Sequence, residues 1–336
     1  MIKQVISKLV DRQDLTESEM IYAMDIIMTG KASEAQIGSF LTALRIKGET
    51  VDEITGAAKV MRTKALSVNP GKGQVVDTCG TGGDGTNTFN ISTTAAFVAS
   101  GAGLTVAKHG NKAVSSACGS ADVLRALGVN IDVKIDTVEM CLQEAGVGFL
   151  FAPLMHSAMK HAIGPRREVG IRTIFNILGP LTNPAGVQTQ IIGVYDKSLT
   201  EQLANVLCKL GSRRVMVVHG NDGLDEITVT GSTHVSLCEK GTVKTFELNP
   251  EQFGIPTYDI NEIKGLDSKA NAAITRSVLD GEKGARRDIT LLNAGAAIYV
   301  GKELDTIQDG IEKAKESIDS GAAKDKLIKL IELTNK

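Results

Sequence analysis

Residues 77–94, DTCGTGGDGTNTFNISTT, set four glycines and a run of hydroxyl and amide side chains between two regular elements. Gln74-Val75-Val76 reads as the end of a buried strand, and 92–101 reads as a helix of small, apolar residues. A further apolar run at 103–107 completes a strand, helix, strand unit. Such a unit requires a parallel pairing with a right-handed crossover, so the fold class is α/β with a mostly parallel sheet flanked by helices. The loop then lies at a strand's C-terminal end and a helix's N-terminus, where unpaired N–H groups and the helix dipole favour an anion. Gly80, Gly82, Gly83 and Gly85 let the main chain approach a phosphate with no Cβ in the way. Thr81, Thr86, Thr88, Asn90, Ser92, Thr93 and Thr94 add side-chain donors.

Gly80-x-Gly82-x-x-Gly85 matches the dinucleotide fingerprint in form, but Lys108 stands in the region where a ribose-binding acid belongs. The chain has no GxxxxGK[ST], which excludes a P-loop. An ordinary glycine-rich turn is the plain alternative. Four glycines and an acid ahead of a polar helix start argue against it.

A chain of 336 residues is long enough for two domains, or one large domain with an appendage. A net charge of −2 with both signs dispersed argues against nucleic acid or a membrane surface as the main partner. The five cysteines form no CxxC pair and no metal spacing. They fit a reducing cytosol, most of them as small buried hydrophobes. The start, MIKQVISKLVDR, lacks the plan of a signal peptide, and the uncharged stretch 85–107 is too polar to span a bilayer.

Residues 1–68 read as helices only, with capping boxes at Thr16-x-x-Glu19, Ser33-x-x-Gln36 and Thr50-x-x-Glu53. Asn69-Pro70-Gly71-Lys72-Gly73 reads as a linker and sets the domain boundary, giving 1–72 and 73–336. Beyond it, strands are expected at 147–151, 190–195, 214–219, 226–230, 233–238 and 242–246. Helices are expected at 120–127, at 137–145, twice within 153–181 with a break at Gly164-Pro165 and an end at Gly179-Pro180, and from 268 onward.

Open α/β sheets place their sites at the C-terminal ends of strands, and three such places carry unusual chemistry. The second strand runs into Lys108-His109-Gly110-Asn111-Lys112, then Ser115-Ser116 and Gly119-Ser120. Lys108 suits a phosphate as a point charge, and Ser120 reads as an N-cap facing the same anion. His109 and Asn111 offer donors and acceptors to a second, organic ligand, while Lys112 fits a solvated loop. A later exit, 219–226, carries Asp222, Asp225 and Glu226 beside glycines. Such hard oxygen ligands suit Mg²⁺. On a regular strand Asp225 and Glu226 point to opposite faces and serve two ions; an irregular backbone would let them share one. A solvated surface turn is the alternative. Arg166 follows Gly164-Pro165 and suits a ligand carboxylate, whereas Arg167 fits a charged helix face. His156 and His161 read as packing residues, and nothing points to a covalent nucleophile.

Together these stretches resemble the anthranilate phosphoribosyltransferase family of tryptophan biosynthesis. The resemblance rests on DTCGTGGDGTNTFNIST, KHGNKAVSSACGSADVLRALG, HAIGPRREVGIRTIFNILGPLTNP, GNDGLDEIT and RRDITLLNAGAAIYV, and covers nearly the whole chain. It implies a small N-terminal α domain, joined by helices from about 165–190, beside a large α/β domain in a cytoplasmic homodimer. It also implies transfer of the phosphoribosyl group of 5-phosphoribosyl 1-diphosphate to the anthranilate amine, the second step from chorismate. By similarity Gly80, Gly83, Asp84, Thr88, Asn90, Ser92, Thr93, Lys108 and Ser120 contact the diphosphate sugar. Gly80, Asn111, Arg166 and His109 face anthranilate. Ser92, Asp225 and Glu226 hold Mg²⁺, two ions per site. Lys108 acts as an electrostatic stabiliser, with no general base. Two rivals share the architecture: a pyrimidine nucleoside phosphorylase-like enzyme, and a nucleic-acid-binding relative without transferase activity. The KHGN run and the Asp225-Glu226 pair fit the first poorly. The balanced charge and the presence of Asn111 and Arg166 fit the second poorly.

Overall fold

The computed structural model describes residues 2–112 and 118–336. Ser115 and Ser116, noted in the run after the second strand, lie outside the described residues.

Four helices open the chain: α1 (Ile2–Val10), α2 (Glu17–Met28), α3 (Glu34–Lys47) and α4 (Val51–Lys64). All three capping boxes form, with Thr16, Ser33 and Thr50 accepting the N–H of Glu19, Gln36 and Glu53. Glu53 is fully buried. It accepts the Leu15 N–H at 2.9 Å and pairs with Lys47 at 3.0 Å, which binds the start of α2 to the end of α3.

The rest alternates: β1 (Val75–Asp77), α5 (Ile91–Gly101), β2 (Thr105–Gly110), α6 (Ser120–Leu127), α7 (Ile135–Met140) and β3 (Val147–Phe151). A π turn, Cys141–Ala145, prolongs α7. Then come α8 (Ala152–Met155), α9 (Lys160–Val169), α10 (Phe175–Leu181), β4 (Thr189–Gly193), α11 (Leu199–Lys209), β5 (Arg214–Gly220), β6 (Thr233–Glu239) and β7 (Thr242–Leu248). The chain ends in α12 (Ser268–Leu279), α13 (Ala285–Gly301), α14 (Ile307–Asp319) and α15 (Ala322–Thr334).

The seven strands form one sheet in the order β3-β2-β1-β4-β5-β6-β7. Pairings from β3 through β5 are parallel, and β6 and β7 close one edge antiparallel. Strand order reverses between β1 and β4, so the crevice beyond their C-terminal ends is where such a sheet takes its ligand. The central strands are apolar on both faces. Met216 and Val218 enter the core under α5 and α13, while Val215 and Val217 enter the core shared with α1–α4 and α11. Ala162, Phe175 and Leu178 join Phe40 and Met61 in that second core. Lys209 on α11 bridges Glu17 at 3.0 Å and Asp52 at 2.7 Å.

Three expectations are corrected. Residues 226–230 form no strand. Thr228 and Thr230 both donate to Asp222, at 2.6 and 2.5 Å, and Asn293 captures the Ile227 N–H at 2.9 Å, so local bonds replace a ladder. The break expected at Gly164-Pro165 falls at 170–174 instead. Pro165 sits inside α9, where it forfeits a single backbone bond, and Gly170 at φ +69° caps the helix. Finally, Cys208 and Cys238 form a disulfide, because α11 packs against β6; Cys118 and Cys141 are buried thiols as expected. Among the described residues no helix is long and apolar enough to cross a membrane.

Candidate active site

The glycine loop leaves β1 and is pinned on one flank by the exit of β4. Thr81 N–H donates to the Gly193 carbonyl at 2.8 Å, and Tyr195 N–H donates to Thr81 Oγ1 at 3.2 Å. A second flank meets 225–226. Gly82 N–H donates to Asp225 Oδ2 at 2.8 Å, and Ser92 N–H, in the first turn of α5, donates to Glu226 Oε1 at 3.1 Å. Two glycines are required by close approach. A Cβ on Gly193 would lie 1.5 Å from the Asp225 carbonyl oxygen, and one on Gly80 would lie 2.9 Å from Asp225 Oδ2.

Asp225 and Glu226 therefore converge on the loop from an irregular backbone rather than facing opposite sides of a strand. Asn293 on α13 holds that backbone beside Glu226, accepting the Ile227 N–H and donating to its carbonyl at 2.8 Å. Enclosure pushes both carboxyls up from the usual range. Asp84 adds to the effect on Asp225, and Asp225 adds to that on Glu226. Asp84 itself accepts the Thr86 hydroxyl. Such a crowd of carboxylates calls for a cation.

Lys108 supplies one positive charge. It is buried at the end of β2, and its Nζ reaches the Thr78 carbonyl at 3.1 Å, Thr78 Oγ1 at 3.3 Å and Ser92 Oγ at 3.3 Å. Its fixed position at the α5 N-terminus puts an ammonium where that helix already favours an anion. Beneath it Asp77 is fully buried, accepting Asn183 Nδ2 at 2.7 Å and His109 N–H at 3.1 Å. Burial pushes the Asp77 carboxyl up to about 6, against the pull of Lys108.

His109 Nδ1 lies 3.1 Å from the Gly179 carbonyl, which only accepts, so Nδ1 carries the proton. Its Nε2 then accepts from His156 Nε2 at 3.2 Å. Burial holds both imidazoles neutral, His109 down at about 3 and His156 at about 4. His156, read from sequence as packing, is thus tied to the site; only the fold brings α8's end to β2.

The other expected residues divide. Thr93 is buried in the first turn of α5, and its hydroxyl has no partner among the described residues. Asn90 is already engaged, donating to the Cys118 carbonyl and accepting from Asn271, each at 3.1 Å. Thr88 bridges Lys264 at the loop's far end. Ser120 is not an N-cap. It is the first residue of α6, which Gly119 caps, with Asp122 accepting the Gly119 N–H at 3.0 Å; Ser120 Oγ turns to the Asn111 carbonyl at 3.2 Å. Asn111 is exposed at the border of the described residues. Arg166 stands half-buried on α9, where burial lowers its guanidinium from the usual value. No hydrogen bond joins it to Asn111 or His109 among the described residues. Sequence reasoning missed Arg172, whose Nη2 donates to the Gly83 carbonyl at 2.5 Å.

Among the described residues no three His, Cys, Asp or Glu side chains converge as a closed metal cage. Asp225, Glu226 and the Ser92 hydroxyl are instead a partial oxygen set, which fits Mg²⁺, an ion that takes its other ligands from phosphate and water.

The chain matches the helical bundle domain of a glycosyl transferase family over residues 3–65 and its a/b domain over 72–324. It is 57% identical to an anthranilate phosphoribosyltransferase of Acetivibrio thermocellus, covering 100% of this chain and 97% of that protein. The crystal structure of the Thermus thermophilus enzyme superposes with a TM-score of 0.94 at 38% identity, covering 99% of both chains. The Saccharomyces cerevisiae enzyme in complex with PRPP and Mg gives a TM-score of 0.90 at 33% identity, covering 99% of this chain and 98% of that one. The same yeast enzyme has been solved with 4-fluoroanthranilate. Identity of this extent over the full length, on a crevice of the expected polarity, makes the chain a member of the anthranilate phosphoribosyltransferase family.

Proposed function

We propose that the crevice beyond β1 and β4 carries out the family's reaction. The phosphoribosyl group of 5-phosphoribosyl 1-diphosphate passes to the anthranilate amine, and pyrophosphate leaves. One observation carries the assignment to this crevice: Lys108 Nζ, Ser92 Oγ and the first turn of α5 are gathered within hydrogen-bond reach of one another, opposite Asp225 and Glu226. That arrangement suits a diphosphate brought in with a divalent cation. Gly80, Gly83, Asp84, Thr88, Asn90, Ser92, Thr93, Lys108 and Ser120 line the sugar diphosphate; Gly80, Asn111, Arg166 and His109 face anthranilate.

Ser92, Asp225 and Glu226 would hold Mg²⁺, which when bound neutralises charge on the diphosphate oxygens. Two ions per site suit the number of carboxylates, with Asp84 close by. The remaining work belongs to the chain. Lys108 and the α5 N-terminus are fixed before substrate arrives, so they stabilise charge developing on the leaving oxygens without reorganisation. Arg166 positions the acceptor carboxylate. An arylamine attacks as the neutral amine at pH 7, and His109 and His156, lowered to about 3 and about 4, are weak bases, so no strong base is assigned.

The division into 1–72 with the helices from about 165–190, and 73–336, is supported by the core that α9 and α10 share with α2–α4. We place the protein in the cytoplasm as a homodimer. Exposed Val10 and Ile46, on the mutually packed α1 and α3, support a contact there. The reading is tested by following anthranilate fluorescence with and without the diphosphate sugar and Mg²⁺. Consumption should require both. Consumption with neither, or none with both, would overturn it.

A further inference from the structure

Arg172 belongs to none of the expected contacts, yet it reaches the glycine loop. It lies in the connector 170–174, directly after the helix that carries Arg166. Its side chain is exposed, but fixed twice. Nη2 donates to the Gly83 carbonyl at 2.5 Å, and the guanidinium carbon stands 4.0 Å from the centre of the Tyr195 ring. Tyr195 in turn anchors the same loop through its backbone N–H on Thr81 Oγ1. The loop needs such an anchor. Gly82 and Gly83 both take positive φ, +65° and +77°, and neither has a side chain to fix it. A peptide unit is planar, with its C=O and N–H pointing opposite ways. Holding the Gly83 carbonyl therefore sets the Asp84 N–H, on the other side of the loop from Arg172.

We propose that Arg172, stacked on Tyr195, is a positioning residue for phosphoribosyl transfer: it fixes the Gly83–Asp84 peptide of the diphosphate loop to the segment that follows the acceptor helix. One side chain then sets the distance between the two substrate halves. Lysine can reach the carbonyl but cannot form the planar stack, so the two functions are separable. The proposal rests on the phosphoribosyltransferase reading of the crevice.

The test uses the full chain and the variants R172A, R172K, Y195F and Y195A, plus the R172A/Y195A pair. Three quantities are read: KM and kcat for each substrate, affinity for inorganic pyrophosphate with Mg²⁺ by calorimetry, and melting temperature. R172A should raise the KM for the diphosphate sugar and weaken pyrophosphate about tenfold, as expected for a lost charge-assisted bond, with a smaller change in kcat. Its melting temperature should stay near wild type, because the side chain is exposed. Y195A should match it, Y195F should resemble wild type, and R172K should recover part of the loss. The double variant should be no worse than R172A. Wild-type KM and pyrophosphate affinity in R172A, or a double variant whose loss is the product of the two single losses, would overturn the proposal. A wild-type protein that consumes no anthranilate would instead overturn the functional reading, and the pyrophosphate titration would still judge Arg172.

Discussion

At the scale of single residues, the crevice sets charged side chains beside imidazoles that burial holds neutral. Arg166 is proposed as the acceptor-side cation. Arg166→Ala should raise the KM for anthranilate about tenfold to a hundredfold, the value of a lost charge-assisted contact, and leave the KM for the diphosphate sugar nearly unchanged. Equal losses on both substrates in steady-state kinetics would refute that role. Asp225 and Glu226 are proposed to hold the divalent cation. Asp225→Asn with Glu226→Gln should move the Mg²⁺ titration of activity to higher concentration, and an unmoved midpoint would rule the assignment out. The imidazoles behave oppositely. His156 titrates at about 4 in the folded chain against about 6.5 unfolded. Below 6.5 the unfolded chain binds a proton that the native one refuses, so this residue's contribution falls as pH falls and levels off near 4. His156→Asn removes that contribution. By pH 5 the wild type should have lost about 2 kcal/mol more stability, relative to pH 8, than the variant. Parallel pH profiles in urea unfolding would contradict it. Asp77, raised to about 6, acts with the opposite sign and is common to both proteins, as is the burial that chiefly holds His109 down, so these cancel in the difference.

At the scale of elements, the sequence was most readable where bonds are local. The capping boxes of α2, α3 and α4 involve partners three residues apart, and all three form. The strand, loop, helix reading around 77–94 rests on a similarly local pattern, and β1 and α5 flank the loop as expected. Readings failed where the deciding partner is distant. Residues 226–230 have the composition of a strand, but Asn293, 66 residues away, holds Ile227. Arg172 and Gly83 are 89 residues apart, and nothing in either neighbourhood announces the bond. His156 and His109, 47 apart, meet only once β3 lies beside β2. Helix packing is hidden in the same way. Gly310 on α14 lies so close to α13 that a Cβ would stand 2.1 Å from the Gly295 carbonyl oxygen. Gly310→Ala must push the helices apart, at a cost of about 1–3 kcal/mol for overpacking. The unfolding midpoint should drop accordingly while both KM values hold. A midpoint at the wild-type value would show that the helices separate without cost.

At the scale of the whole molecule, the sheet has a working end and a structural end, and the Cys208–Cys238 bond lies at the structural one. Cys238 pairs with Val215, near the start of β5, whereas the crevice opens beyond the C-terminal ends of the parallel strands. The bond ties α11 to β6, and α11 also carries Lys209, which bridges Glu17 and Asp52 of the N-terminal helices. It therefore reinforces the attachment of the helical part to the sheet and touches no group of the crevice. Closing a loop across 30 residues restricts the unfolded chain by about 3 to 4 kcal/mol. Reduction, or Cys208→Ser with Cys238→Ser, should lower stability toward urea by up to that amount and leave both KM values and the Mg²⁺ titration in place. A reducing compartment holds such a pair as thiols, and two thiols fit the same apolar contact. The reduced enzyme should accordingly turn over as fast as the oxidised one at temperatures where both are folded. A change in either KM on reduction would mean that strain passes from the α11 edge to the crevice, and the separation of the two ends would have to be abandoned.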